Sequence, residues 1–178
     1  MNRETVRVLS PVTNSYTPPK ARPARPTSLA GLRPGVLENS KHNAQLLMEL
    51  MVEGLRERVD LGVVTVGHKG VTLPPSQETI ELLKKNCDFV LVGTGDCGSC
   101  TAWTVRAAVM LEEAGVPTVG IGSDVFEEQF RKEAAQLGMT GMEFVFVRHP
   151  LGGLREDAVR KKAVTTLDQI ENALLGRA

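Results

Sequence analysis

Residues 89–101 read FVLVGTGDCGSCT, and within them an apolar run changes to a glycine-rich turn. The run Phe-Val-Leu-Val is bulky and rich in valine, which is typical of a strand buried on both faces. Glycines at positions 93, 95 and 98 permit the tight turn that follows. The next residues have helical length and end at Gly115, a residue type that commonly terminates helices. The stretch therefore predicts a strand, a turn and a helix, the repeating unit of a parallel α/β sheet.

The same alternation of short apolar runs and longer amphipathic segments extends on both sides of this stretch. It predicts five strands, at residues 34–37, 61–66, 89–92, 118–121 and 143–147. It also predicts five helices, at residues 44–58, 76–85, 100–114, 124–137 and 156–175. Ser76 is the predicted N-cap of the second helix, and Gly138 is predicted to end the fourth.

Parallel strands joined by right-handed crossovers give a three-layer, doubly wound α/β domain. We predict a flavodoxin-like five-stranded parallel sheet with the strand order 2-1-3-4-5. In such sheets ligands bind at the carboxyl ends of the strands, next to the point where the strand order reverses. Here that point lies between strands one and three, and strand three leads into the cysteines.

The chain divides into a proline-rich basic arm, residues 1–31, and a single α/β domain, residues 32–178. Between residues 5 and 37 there are six prolines, five basic residues and no acidic residue. Prolines at this density prevent a helix, so we predict an extended arm that packs on the domain or on a second subunit. A transit peptide is the alternative, because such peptides are also basic and poor in acidic residues.

Composition and charge restrict the function. The 178 residues include 21 basic and 21 acidic ones, so the chain lacks the basic excess typical of proteins that bind nucleic acid or an anionic membrane. Aromatic residues make up 4%, fewer than a platform for single-stranded nucleic acid needs. No apolar run approaches the roughly 20 residues of a membrane span, and no secretory segment begins the sequence. Three cysteines, two of them closely spaced, suit a reducing compartment, and we expect a cytoplasmic protein.

The segment Cys97-Gly98-Ser99-Cys100 places two thiols at the junction between strand three and its helix. Backbone N–H groups and the helix dipole at such a junction stabilise a thiolate. Cys97, at the exposed helix start, is the expected nucleophile, and Cys100, one turn along, is the expected resolving thiol. Asp96 conflicts with this prediction, because a carboxylate raises the pKa of a neighbouring thiol unless it caps the helix or acts as an acid or base. We expect neither a metal nor a cofactor.

Three other interpretations of this segment remain. The cysteines can be small apolar residues that pack at a helix start. They can ligate a metal, although one Cys-x-x-Cys pair supplies only two ligands. Gly93, Gly95 and Gly98 also match the Gly-x-Gly-x-x-Gly pattern of pyrophosphate sites, but on the third strand and without the acidic residue that holds a ribose.

Polar residues follow the other strands and are expected at the same edge of the sheet. His149 is the candidate acid or base, since imidazole exchanges protons near neutral pH. Lys41 and Arg148 are candidates for holding a substrate carboxylate. The predicted substrate-binding residues are Asn39, Ser40, Lys41, His68, Gly95, Gly98, Ser99, Ser123 and Arg148.

Three motifs resemble the UGSC family, which is named for a selenocysteine-Gly-Ser-Cys motif. They are residues 95–102 (GDCGSCTA), 38–43 (ENSKHN) and 149–153 (HPLGG), and the resemblance covers nearly the whole chain. Cys97 stands where selenoprotein members carry selenocysteine, which implies that this position is a nucleophile or redox centre, here with the weaker nucleophile sulfur. The family is distantly similar to the selenocysteine subunits of glycine and proline reductases, in which the chalcogen attacks carbon and displaces an amino group.

These observations predict a lyase or reductase in which the Cys97 thiolate attacks an electrophilic carbon of a small organic substrate and forms a covalent adduct. Elimination or reductive cleavage of a carbon–heteroatom bond follows, with Cys100 as resolving or supporting thiol and His149 as proton shuttle. One alternative is a thiol–disulfide or peroxide oxidoreductase that uses the Cys97–Cys100 pair. Another is a non-catalytic binding or carrier subunit of a larger complex. We also expect a homodimer, and a protein partner or reductant for the thiols.

Overall fold

Five parallel strands form one sheet in a computed structural model that describes residues 17–177. The strands are Pro34–Glu38 (β1), Thr65–His68 (β2), Phe89–Gly95 (β3), Thr118–Ser123 (β4) and Glu143–Val147 (β5). Their order is β2-β1-β3-β4-β5, and every neighbouring pair is parallel. The predicted three-layer, flavodoxin-like α/β fold is confirmed.

Six α-helices and one short 3₁₀ helix, Asp124–Phe126, lie within the described residues. The α-helices are Ala44–Arg56 (α1), Gln77–Asn86 (α2), Gly98–Glu113 (α3), Glu127–Gln136 (α4), Glu156–Thr165 (α5) and Leu167–Leu174 (α6). The prediction of a single helix over residues 156–175 is wrong. The helix is interrupted at Thr166, where φ is −108°. The Thr166 hydroxyl donates to the carbonyl of Ala163 at 2.9 Å, and such back-bonding bends helices.

The second strand begins later than predicted. Residues 61–64 precede β2 and are outside the sheet ladder. The backbone N–H of Gly62 donates to the carbonyl of Leu32 at 2.8 Å, so this part of the chain bonds to the segment before β1. The apolar run at residues 61–64 is only partly buried, since Leu61 is buried and Val63 is 84% exposed, and such a run does not show where the ladder begins.

The helices cover both faces of the sheet and create two cores. Helices α1, α5 and α6 pack on one face, and α2, α3 and α4 pack on the other. Strand β3 alternates between the cores: Phe89 and Leu91 belong to the first, and Val90 and Val92 to the second. Successive side chains of a strand point to opposite faces, so a central strand with apolar residues at every position is buried on both.

The predicted helix boundaries at three positions agree with the structure. The Ser76 hydroxyl accepts a hydrogen bond from the backbone N–H of Thr79 at 3.2 Å and caps α2. Gly115 and Gly138 follow α3 and α4 with φ angles of 89° and 81°, the left-handed conformation that glycine adopts without strain.

Part of the proline-rich arm lies on the domain. Residues 1–16 of the predicted arm are outside the described residues, and residues 17–33 contain no helix or strand. Arg25 donates to the buried carboxylate of Glu112 at 2.7 Å and to the carbonyl of Thr118 at 3.3 Å. This segment therefore packs against the end of α3 and the start of β4. No helix within residues 17–177 combines the length and the apolar character needed to cross a membrane.

Candidate active site at the start of helix α3

Strand β3 carries the chain to the carboxyl edge of the sheet, and two residues, Asp96 and Cys97, separate its end from the start of α3. The turn is tight because α3 and α4 pack closely on it. A Cβ atom at Gly95 would lie 2.5 Å from the ring of Phe130 and 3.0 Å from the Cα of Thr101. A side chain at this position would push both helices away, so glycine is required here.

Cys97 is the N-cap of α3. Its backbone is extended, and its sulfur accepts from the backbone N–H of Cys100 at 3.4 Å. Of the two roles open to Asp96, helix cap or acid and base, the structure does not show the first, because Cys97 occupies the N-cap position. Cys97 is half-buried and Cys100 is fully buried. The predicted exposed thiol and its inner partner are therefore brought together, with their sulfur atoms 2.6 Å apart and hydrogen-bonded.

The surroundings move the pKa values of the two thiols in opposite directions. Burial opposes ionisation of Cys97, but hydrogen bonds from the thiol and backbone of Cys100 and from the Ser99 hydroxyl outweigh it, and the charge of Lys41 adds to them. The pKa of Cys97 is therefore below that of an ordinary thiol. Burial and the neighbouring Cys97 thiolate raise the pKa of Cys100. Cys97 is thus the thiol that ionises first, and Cys100 then donates to it.

The Lys41 ammonium lies beside both thiols and neutralises Asp96. Its Nζ lies 3.0 Å from Oδ1 of Asp96, and this contact with the carboxylate is the main cause that raises the pKa of Lys41. Asp96 is next to Cys97 in the sequence, and a free carboxylate there would raise the pKa of the thiol. The ion pair with Lys41 reduces this effect, because a neutralised carboxylate repels the Cys97 thiolate less.

Asp96, Cys97 and Cys100 are also the residues that a metal ion could use. One ligand atom from each lies within 4.8 Å of the others. Tetrahedral metal sites normally use four protein ligands, or three plus a substrate position. Here one of the three candidate ligands, Asp96, is already paired with the Lys41 ammonium. The donor set fits an ion pair and a thiolate better than a bound metal.

Asn39 follows β1, and its amide bonds to the backbone of the neighbouring strand β3. The amide nitrogen donates to the carbonyl of Thr94 at 2.8 Å, and the amide oxygen accepts from the N–H of the same residue at 3.0 Å. Asn39 is fully buried. Both of its polar groups therefore hold the end of β3, three residues before Cys97, and in the described residues 17–177 neither is directed to an open surface.

Ser40 and His68 lie together next to the end of β1. The Ser40 hydroxyl donates to the carbonyl of Lys69 at 3.1 Å, and Nδ1 of His68 lies 2.7 Å from Oε1 of Glu38. Burial lowers the pKa of Lys69, whose ammonium donates to two backbone carbonyls of its own loop. Sequence reasoning does not pair Glu38 with His68, because the pairing depends on the register in which the two residues face each other.

On the other side of β3, Ser123 and His149 form a second polar pair. The hydroxyl of Ser123, which is buried, lies 2.9 Å from Nδ1 of His149, and the N–H of His149 donates to Oδ1 of Asp124 at 2.9 Å. Within residues 17–177 no hydrogen bond joins His149 to either thiol. Arg148 is exposed, and its backbone carbonyl accepts a hydrogen bond from the Lys162 ammonium at 2.7 Å.

The surface next to Cys97 is open. Gly98 and Ser99 are exposed, and Gln129 of α4 donates to the carbonyl of Gly98 at 2.8 Å. Gly152 approaches Asp96 closely, since a Cβ atom there would lie 3.5 Å from Oδ2. A depression of about 600 Å³ borders loop 38–43 and the first turns of α1, and Lys41 lies in its wall. The depression gives a small molecule access to Lys41, and Cys97, which does not line it, is partly exposed beside Gly98 and Ser99.

Several solved structures match this chain at low similarity. A diflavin flavoprotein A3 from Nostoc sp. has 13% identity, a TM-score of 0.42, and covers 84% of this chain and 99% of its own. A putative CpaE2 pilus assembly protein from Sinorhizobium meliloti 1021 has 16% identity, a TM-score of 0.39, and coverages of 76% and 99%. A flavodoxin-like domain from Synechococcus sp. has 9% identity, a TM-score of 0.38, and coverages of 79% and 99%. Similarity at this level gives no information about the function of this chain.

A comparison with curated proteins finds no match to this sequence. The sequence profile described as the UGSC family matches residues 7–176, nearly the whole chain. The structure brings residues from all three resembling motifs to one edge of the sheet: Lys41 contacts Asp96, and Gly152 lies beside it. The chain belongs to the UGSC family.

Proposed function

We propose that this protein is a cysteine-dependent reductase that cleaves a carbon–heteroatom bond of a small organic substrate through a covalent adduct on Cys97. The observation that carries the proposal is the pair of thiols at the start of α3. The outer thiol has a lowered pKa, and the inner thiol is in contact with it and has a raised pKa. This is the arrangement that an attacking thiolate and a resolving thiol require.

In the first step the Cys97 thiolate attacks the carbon that carries the heteroatom. A carbon–sulfur bond forms, and the carbon–heteroatom bond breaks with its electron pair on the heteroatom. His149 is the proposed acid that protonates this leaving group, since its ring lies at the same edge of the sheet, beside Ser123. Lys41 holds the carbonyl or carboxylate of the substrate, and Arg148 and Ser99 are further binding groups.

In the second step Cys100 gives up its proton to water, and the resulting thiolate attacks the sulfur of Cys97. A disulfide forms, and the substrate carbon leaves with the electron pair of the carbon–sulfur bond. A carbon can leave in this way when the negative charge spreads onto a neighbouring carbonyl as an enolate. The proposed substrates are therefore α-substituted carbonyl compounds, reduced by two electrons while the dithiol is oxidised. An external dithiol reductant restores the cysteines.

The proposal is tested by labelling the protein with 2-bromoacetophenone and following its mass. The wild type is expected to gain one phenacyl group on Cys97 and then to lose it as acetophenone, leaving a Cys97–Cys100 disulfide. The C97S variant should gain no rapid adduct, and the C100S variant should keep the adduct. C87S is the matched control, because Cys87 is buried away from the site and should not change either rate. Rapid labelling that persists in C97S contradicts the proposal.

A second function is favoured by the contact between the sulfur atoms. At 2.6 Å the thiols need little movement to form a disulfide, so the pair suits a thiol–disulfide or peroxide oxidoreductase. Two measurements distinguish this function from the first. Reduction of a generic disulfide by the dithiol form, together with no loss of the phenacyl group from Cys97, favours the oxidoreductase.

The remaining expectations concern partners and location. A cytoplasmic location fits the proposal, because the reaction needs reduced thiols. The homodimer and a protein reductant stay predictions. The alternative of a carrier subunit attached through its basic arm is less favoured. Within residues 17–33, Lys20, Arg22 and Arg25 already pair with glutamates of the domain.

A further inference from the structure

The sheet has an open edge at β2. Strand β2 pairs with β1 on one side, and no strand within residues 17–177 pairs with it on the other. The backbone N–H of Lys69, directly after β2, donates to the carbonyl of Glu38 at 3.0 Å. Because alternate residues of a parallel strand bond to the same neighbour, Val66 and His68 direct their N–H and C=O groups away from β1. These groups are placed to pair with another extended chain.

The β2 edge lacks the residues that usually prevent strands from pairing between molecules. Such edges commonly carry lysine, other charged residues or proline. Residues 61–67 read LGVVTVG and contain none of these. At the opposite edge, β5 begins at Glu143, which lies 3.7 Å from Arg22 of the arm, and Arg131 lies over the ring of Phe146. Contact between molecules is therefore favoured at β2 over β5.

An apolar groove runs along this edge, between α1 and residues 61–64. Its two parts have volumes of about 340 and 410 Å³, and Val64 and Arg56 line both of them. Leu46 and Leu50 of α1 line the first part, and the exposed Val63 lines the second. The groove therefore presents aliphatic side chains directly beside the open backbone of β2.

The other face of the sheet also exposes apolar residues near β2. Leu73, in the loop after β2, and Leu82, on α2, are both exposed. Leu82 lies on the side of α2 away from α3, since Glu81 and Lys84 line the groove between these two helices. With Val63, they are three of the five large hydrophobic side chains exposed among the described residues. Apolar exposure is thus concentrated around β2, which marks an interaction surface.

The charges along the groove favour a second copy of this chain as the partner. Glu49 lies toward one end of the α1 wall, and Arg56 lies about two turns away toward the other. A twofold axis near Val64 reverses the direction of α1, so Glu49 of one copy lies beside Arg56 of the other. Glu53, between them, is already paired with Arg160 at 3.3 Å. The same ion pair therefore forms twice across the axis.

Residues 1–16, which lie outside the described residues, are a less suitable occupant of the groove. They join the described chain at residue 17, and the N–H of Lys20 donates to the carbonyl of Gly138 at 2.9 Å. Arg22 follows beside the start of β5. Strand β2 is at the opposite edge of the sheet, four strand spacings or about 19 Å away.

We propose that this protein forms a symmetric dimer in which β2 of one copy pairs antiparallel with β2 of a second copy. The two sheets join into one sheet of ten strands, and the α1 helices of the two copies pack against each other over the apolar groove. Cys97 follows β3, two strands from the dimer axis. The dimer is independent of the proposed reductase activity, and either proposal can fail without the other.

The experiment measures the mass of the full chain by sedimentation equilibrium over a range of concentrations. The wild type is expected to have twice the mass of one chain. V63K places a positive charge from each copy next to the axis and should raise the dissociation constant at least tenfold. V66P removes an outward N–H without removing a bond to β1, and its effect should be at least as large. Circular dichroism checks that both variants are folded.

V164K is the matched control, because Val164 is exposed on α5 and does not line the groove. It should leave the dissociation constant unchanged. E49R and R56E should each raise the dissociation constant about fivefold, since two symmetric ion pairs are lost, and the double variant E49R/R56E should restore it.

Three results would overturn the proposal. The first is a wild type that stays monomeric at about 0.1 mM, as it would if residues 1–16 covered the edge. The second is a dimer that persists unchanged in V63K and V66P, since another surface then forms the contact. The third is an E49R/R56E variant that dissociates more readily than either single variant, because the two charges then do not meet across a twofold axis.

Discussion

Replacing Lys41 with methionine is predicted to slow alkylation of Cys97 by iodoacetamide about tenfold at pH 7. Two changes act in the same direction. The substitution removes a positive charge that lowers the pKa of Cys97, and it frees Asp96, whose Oδ1 lies 3.0 Å from Nζ of Lys41, to repel the thiolate. Charges this close usually change ionisation by factors of ten to a thousand. We expect the low end, because Lys41 is the weakest of the groups that stabilise the thiolate and the thiol is half-exposed.

The effect of K41M on the alkylation rate of Cys97 should depend on pH. Raising the pKa of Cys97 lowers the fraction of thiolate at pH 7, but it leaves that fraction unchanged once the pH exceeds the pKa in both proteins. The rates of K41M and the wild type should therefore differ most near and below neutral pH and converge in alkaline solution. A difference of the same size at every pH would instead indicate that methionine blocks access to the sulfur.

The assay is the pH profile of the alkylation rate, with peptide mass analysis to assign the label to Cys97. K41R keeps a positive charge and should retain a profile close to the wild type. D96N removes the repulsion and should speed alkylation at pH 7, and it should partly restore the K41M rate in the double variant. Identical profiles for K41M and the wild type would refute the electrostatic account of Cys97.

Two further predictions concern stability, and urea unfolding measures both. N39A should lower the free energy of unfolding by about 2–4 kcal/mol, because it leaves the buried N–H and carbonyl of Thr94 unsatisfied. The control N172A replaces an exposed asparagine and should change the free energy of unfolding by less than about 0.5 kcal/mol. R25A should lower the same quantity by about 2 kcal/mol, because it removes the closest charged partner of the buried Glu112 carboxylate; a loss below about 0.5 kcal/mol would show that residues 17–33 contribute little to stability.

The sequence predicts the fold well, because its strongest signals are local. Alternating apolar runs and amphipathic segments indicate the strands and helices, and glycine or serine at helix ends indicates their limits. The break at Thr166 is not visible in this way, since the apolar spacing of α5 continues into α6. At this point the Thr166 hydroxyl bonds to the carbonyls of Lys162 and Ala163 in the preceding turn, and threonine occurs in many helices without breaking them.

The site is predictable in its location and less so in its bonds. The carboxyl edge of a parallel sheet collects the residues that follow each strand, which is why Lys41, Asp96 and Cys97 were expected near one another. Asn39 was expected to meet a ligand, but its amide pairs with the backbone of Thr94. A polar residue at a strand end serves a ligand or a neighbouring backbone, and only the register and the distance between strands distinguish the two.

The most direct test of the account is the pKa of the Cys97 thiol in the folded protein. The thiolate absorbs in the ultraviolet, and a pH titration of the C87S variant, with C97S/C87S as the reference, isolates its ionisation. The account predicts a midpoint below the value of about 8.5 for free cysteine, with Cys100 ionising at higher pH. A midpoint at or above 8.5, or ionisation of Cys100 before Cys97, would contradict it.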